Sequence, residues 1–116
     1  MLSGTLLNLL ERLGMDVLTL TYGLSEEEFF ASRIARKRTL ELLGNMSKTA
    51  ISIPQEVKLH MADVDWGAWA ALSMALASPE RHPLQIWVAV QELVPLTVLS
   101  LGDCRKRMPQ LFSVVP

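Results

Sequence analysis

His82 follows Arg81 directly, and the only other histidine is His60. An imidazole gives and takes a proton near neutral pH, and a guanidinium holds a phosphate. Arg81-His82 is therefore one arrangement that could bind a phosphate and move a proton. The other reading is a plain surface turn, because Pro79 and Pro83 bracket the pair and His60 sits among polar residues. The two histidines do not have the spacing of metal ligands on a helix, and no acidic residue completes such a site. The six glycines are scattered, which removes a phosphate-cradling loop, and no serine stands in a G-x-S-x-G elbow. A single cysteine, Cys104, excludes an internal disulfide and a cysteine-based zinc cluster. It reads as a small buried hydrophobe.

Arg33, Arg36, Lys37 and Arg38 form the densest basic cluster. On a helix the first three share a face and Arg38 turns away. Three cations on one face could touch RNA phosphates. They could equally be the solvated side of an amphipathic helix, balanced by Glu26, Glu27, Glu28 and Glu41. The net charge is −1, so no global field draws the chain to nucleic acid, and any such contact has to be local. Trp66 and Trp69 lie three apart and share a helix face, while Trp87 comes from the next helix and could stack against them. That trio reads as a ligand cage, or as a packed core or subunit interface.

These side chains have to be positioned by helices. Half of the 116 residues are hydrophobic, enough for one substantial core, and the apolar spacings are helical throughout. Leu6, Leu9, Leu10, Leu13, Val17 and Leu20 form a first stripe behind a possible Ser3 N-cap, and Gly23 closes that helix. Ser25-Glu26-Glu27-Glu28 is a capping box opening a short helix that Phe29 and Phe30 anchor. Ser32 restarts the chain as a long helix with Leu40, Leu43, Met46 or Ser47, Ala50 and Ile53 inward, stopped by Pro54. Residues 54–64 read as a connection with one short helix. Asp65 caps a helix from Trp66 to Ser78 that carries no charge and no histidine. A helix apolar nearly all round is buried in a core or between subunits. A last helix starts near Leu84, is kinked by Pro95, and ends near Gly102 or Arg105-Lys106-Arg107. After Pro109 the chain reads as irregular.

The order of these features resembles the HEPN superfamily, specifically its HepT-like branch of minimal ribonuclease toxins. The pattern is carried by Gly23-Leu24-Ser25-Glu26-Glu27-Glu28-Phe29-Phe30 for "GLS-x-E-x-F" and by Leu40-Glu41-Leu42-Leu43-Gly44 for "L-E-x-x-G". Ile53-Pro54-Gln55-Glu56, Asp65-Trp66, and Trp87 ahead of Leu93-Val94-Pro95-Leu96 complete it. The likeness spans nearly the whole chain. It implies a dimeric helical bundle in which two copies of the Trp66 helix meet and bring arginine and histidine to an RNA backbone, with no metal. Counted from Trp66, the family's arginine falls on Ser73, its asparagine on Met74 and its histidine on Ser78. The tyrosine that a partner nucleotidyltransferase modifies falls near Glu80 and is absent, and the loop is about two residues short. Serine replaces neither imidazole as a proton carrier nor guanidinium as a phosphate clamp.

The expected architecture is an all-α, up-and-down four- or five-helix bundle of HEPN type, one domain over 1–112 with an irregular tail at 113–116. The expected function is that of a catalytically degenerate HepT-like module, a homodimer paired through Trp66, Trp69, Ala70, Ser73 and Ala77, with a nucleotidyltransferase-type antitoxin as a possible partner. The alternative is a metal-independent endoribonuclease toxin using Arg81 and His82, with Arg33, Arg36 and Lys37 as its RNA face. A third reading is a stand-alone ligand or nucleotide binder with a tryptophan-lined pocket. No cofactor or metal is expected. The apolar N-terminus lacks a basic start and is broken by Glu11, Arg12 and Asp16, and the run Leu93 to Gly102 is short of the about 20 residues of a bilayer span. The chain therefore reads as soluble and cytoplasmic, without a membrane partner.

Overall fold

A glycine and a few capping side chains divide the chain, and the computed structural model, which describes residues 2–113, folds into helices between those breaks. Helix α1, Leu2–Thr21, stops where Gly23 takes φ +78°, a left-handed conformation that costs a residue with a Cβ about 1 kcal/mol. Ser25 then opens α2, Glu26–Ala31, through a complete capping box. The Glu28 amide donates to Ser25 Oγ at 3.1 Å, and the Ser25 amide donates to Glu28 Oε1 at 2.9 Å. Ser32 ends α2 and caps α3, Arg33–Ser52, by accepting from the Ala35 amide.

Pro54 stops α3, and α4, Gln55–Lys58, fills the connection with a tight 3-10 turn over Leu59–Met61. Asp65 Oδ1 accepts from the Ala68 amide at 2.9 Å and opens α5, Trp66–Leu76. After a second tight turn, Pro79–Arg81, helix α6 runs unbroken over Pro83–Arg107. Among the described residues there is no strand, and the fold is an all-α bundle.

Four helices enclose one core. α1 packs on α3 and on the second half of α6, α3 packs on α5, and α5 packs on the first half of α6. Leu7, Leu10 and Val17 from α1 meet Leu43 and Met46 from α3, Trp69 and Leu72 from α5, and Ile86, Val90, Val94 and Leu101 from α6, all fully buried. Phe29 closes one end from α2. By length and composition α6 is long and apolar enough to cross a membrane, a measure that core helices also meet. Here its Ile86, Val90, Val94, Leu101 and Cys104 line the interior.

Several expectations shift by a residue or a turn. The buried line of α1 is Leu7, Leu10, Leu13, Val17 and Thr21, while Leu9 is exposed and Leu6 and Leu20 are half-buried. Gly14 explains the shift, because α6 crosses α1 there: a Cβ on Gly14 would overlap Val98 Cγ2 and sit 3.2 Å from Met46 Cε. Ser3 lies inside α1, which already starts at Leu2. α5 ends at Leu76, two residues before Ser78. Gly102 lies within α6, which continues to Arg107.

Just ahead of Pro95, where the sequence places a kink, the helix widens into a π turn over Ala89–Leu93, with the Val94 amide donating to the Ala89 carbonyl. Proline has no amide to donate, and the wider turn accommodates that loss without ending the helix. The segment after Pro109 is a packed turn, Pro109–Phe112, rather than irregular chain. Phe112 is buried, Asn8 Nδ2 donates to its carbonyl at 2.9 Å, and the Arg105 guanidinium lies 4.4 Å from its ring centre. Arg105 also pairs with Glu11 and donates to Asn8 Oδ1 at 2.6 Å. Of the expected tail, residues 114–116 lie outside the described residues.

Two outcomes follow from this packing. Gly14→Val should lower unfolding stability by about 2 kcal/mol in urea melts, and Val98→Ala in the same chain should recover part of it, because the overlap is specific to that pair. Glu28's carboxyl is held below its ordinary value by the Ser25 amide first and the Ser25 hydroxyl second. A depressed carboxyl stabilises the fold above the ordinary carboxylate range and loses that contribution as pH falls through its lowered value. The urea midpoint of Glu28→Gln should therefore trail the parent at neutral pH and converge with it on acidification.

Candidate functional site

Helix α5 is where the resemblance places chemistry, and its inner face is fixed by hydrogen bonds as well as by burial. Trp69 is fully buried. Ser47 Oγ on α3 donates to its carbonyl at 2.9 Å, and its indole Nε1 donates to Thr97 Oγ1 on α6 at 3.0 Å. Thr97 donates in turn to the Leu93 carbonyl at 2.7 Å. Trp66, half-buried, donates from Nε1 to the Met61 carbonyl at 3.1 Å, and Lys58 Nζ lies 5.3 Å from its ring centre.

The outer face of α5 is open. Gly67, Ala70, Ala71, Ser73, Met74 and Ala77 are exposed, and Met74 reaches 79% exposure. A helix expected to be covered all round thus has only half its circumference covered by its own chain. Ala71 shares a narrow apolar groove of about 160 Å³ with Val88 of α6, which extends the open face across to that helix. No ionisable group lies on α5.

The three positions that the resemblance marks as catalytic fall on or beside this face. Ser73 and Met74 are exposed, and Ser78 is half-buried just past the helix end. None offers an acid, a base or a cation. Arg81 and His82 are exposed in the turn between α5 and α6 and share a shallow depression with Leu84, Gln85 and Val88. Neither side chain takes part in a hydrogen bond or ion pair among the described residues.

The basic face divides. Arg33 and Lys37 are exposed, but Arg36 is half-buried, and its guanidinium donates to the Phe30 carbonyl at the end of α2. It lines a cleft with Pro79 and Glu80, apart from the depression that holds His82. Arg38, turned away as expected, faces Glu41 at 3.9 Å.

The tryptophan trio does not form. Trp87 packs on Phe29 and Phe30, with ring centres 5.4 Å and 6.4 Å away, and not on Trp66 or Trp69. The reason is the position of α2, which brings two phenylalanines to the start of α6. Trp69, expected at a subunit interface, belongs to the protomer's own core. Burial pushes the Cys104 thiol up, with Asp103 adding to the rise against the pull of Arg107. A thiol so placed stays neutral and unreactive at physiological pH. Among the described residues no three His, Cys, Asp or Glu side chains gather as metal ligands.

Sequence reasoning missed Thr97 as the partner of Trp69; its one signal is a lone hydroxyl in an otherwise apolar stretch of α6. It also missed that Arg36 and Glu80 line one cleft, which no local pattern encodes. No protein-family model, curated protein or solved structure matched the chain.

Thr97→Val keeps the volume and removes the acceptor of the Trp69 indole. It should cost about 1–3 kcal/mol in chemical denaturation, the range for a buried donor left unpaired. Trp66→Phe, at a half-buried site, should cost less in the same melts.

Proposed function

We propose that this protein is a catalytically silent, HepT-like helical bundle that works as a dimeric interaction module, pairing through the open face of α5. The observation that carries this reading is an exposed helix face made of Gly67, Ala70, Ala71, Ser73, Met74 and Ala77, with no charge on it. Small side chains let a second helix approach closely, and Met74 offers a flexible apolar contact at its centre. Soluble monomers seldom leave such a continuous uncharged surface to water.

The reading places Trp66, Ala70, Ser73 and Ala77 at the interface and leaves Trp69 to the core. The residues at the family's reactive positions support a module rather than an enzyme, because Ser73, Met74 and Ser78 supply neither proton carrier nor phosphate clamp. The partner is a second copy of this chain, with a nucleotidyltransferase-type antitoxin as a further partner that the resemblance implies. In this reading the protein acts in the cytoplasm.

Sedimentation equilibrium should find a dimer for the parent chain. Met74→Glu should weaken it by about 100-fold or more, since a buried unpaired charge costs several kcal/mol at an interface. Helix content should be unchanged in that variant, because Met74 contacts water in the protomer. Labelled RNA incubated with the protein in chelator should stay intact. Cleavage that His82→Ala abolishes would overturn the module in favour of a ribonuclease at Arg81 and His82.

A further inference from the structure

A second site lies between α2, α3 and the turn that joins α5 to α6. Phe30, Leu40 and Ile86 form its apolar floor, Pro79 stiffens one rim, and Arg36 and Glu80 bring opposite charges to the same cleft. Its volume is about 410 Å³, within the range of small-molecule sites.

The two charges are not spent on each other. No ion pair within 4.0 Å joins Arg36 to Glu80, and Glu80 has no hydrogen-bond partner among the described residues. Arg36 uses its guanidinium once, on the Phe30 carbonyl. That bond fixes the group at the end of α2 and leaves most of its five N–H donors uncommitted. The backbone that carries Glu80 is closed into a turn. The Arg81 amide donates to the Ser78 carbonyl at 3.0 Å and the His82 amide to the Pro79 carbonyl at 3.1 Å, closing the turn on either side of it.

A bonded cation and an exposed anion, lining one apolar cleft without pairing with each other, define the ligand. A simple anion at Arg36 meets Glu80, and a simple cation at Glu80 meets Arg36. A neutral apolar molecule would cover both charges without pairing either, which is costly. We infer that the cleft binds a free α-amino acid with a large apolar side chain, its carboxylate on Arg36, its ammonium on Glu80 and its side chain against Phe30, Leu40 and Ile86. The site is independent of the α5 face and stands whether or not the chain dimerises.

Phe30 packs on Trp87, so the indole N–H of Trp87 reports on the cleft. Amide and indole NMR spectra of the full chain would be followed during titration with L-phenylalanine, with 3-phenylpropionate, which lacks the ammonium, and with phenethylamine, which lacks the carboxylate. The expected result is saturable shifts at Phe30, Leu40, Ile86 and the Trp87 indole, with phenylalanine bound about tenfold more tightly than either analogue. Glu80→Gln, an exposed and unbonded position, should leave the melting curve unchanged and reduce phenylalanine affinity to that of 3-phenylpropionate. No shifts at about 10 mM ligand, where even a millimolar site is ~90% filled, would overturn the assignment. So would equal affinity for all three probes. A Glu80→Gln variant that loses stability but binds phenylalanine as the parent does would show that the two charges serve the fold alone.

Discussion

The arrangement of this molecule depends on how Trp69 is held. Its ring fills the centre of the bundle, its carbonyl accepts from Ser47 on α3, and its indole donates to Thr97 on α6. One residue therefore ties α5 to both neighbours, and the Thr97 hydroxyl passes the constraint on to the Leu93 carbonyl within the π turn. Each buried polar atom in this chain of bonds is satisfied, which turns a desolvation cost into a fixed geometry. With its inner face so determined, α5 cannot rotate to hide Ala70 or Met74. The open face is a result of the core's own bonding.

The same fixture separates two regions that lie close together in the sequence. The resemblance puts its reactive positions on Ser73, Met74 and Ser78, and Arg81 with His82 is the separate alternative just beyond them. In the structure Ser73 and Met74 belong to the flat outer side of α5, and Arg81 and His82 to the turn beyond it. Glu80, between them in sequence, lines a cleft with Arg36 from α3. Prolines at 79 and 83 make this possible, because they bend the chain sharply and send neighbouring side chains into different surroundings.

Much of the architecture was legible in the sequence because it is written in local signals. The Ser25 capping box, the Ser32 and Asp65 caps, the Gly23 turn and the Pro54 stop each act within four residues, and each stands where the sequence places it. What escaped depends on tertiary contact. The inward line of α1 is set by the close approach of Val98 to Gly14, and Trp87 is claimed by Phe29 and Phe30. The turn at Pro109–Phe112 is held by Asn8 and Arg105 from distant helices. For the sites, residue type was readable at Ser73, Met74 and Ser78, but neither their degree of exposure nor the placing of Arg36 and Glu80 on one cleft was. No periodicity records which of several charges will share a cavity.

The inward stripe of α6 runs through its π turn without changing face. Inserting one residue without breaking a helix turns everything beyond it by about 100°. Ile86 and Val90 lie before or within the turn, and Val94, Leu101 and Cys104 lie beyond it, yet all five face the same interior. Their spacing already sets all five within about 80° of one another at about 100° per residue, so the stripe depends on the number of residues between them. Deleting one residue from 89–93 would change that number, carry Leu101 and Cys104 round toward solvent and bring Arg105 inward. One stripe therefore serves α5 with the first half of the helix and α1 with the second.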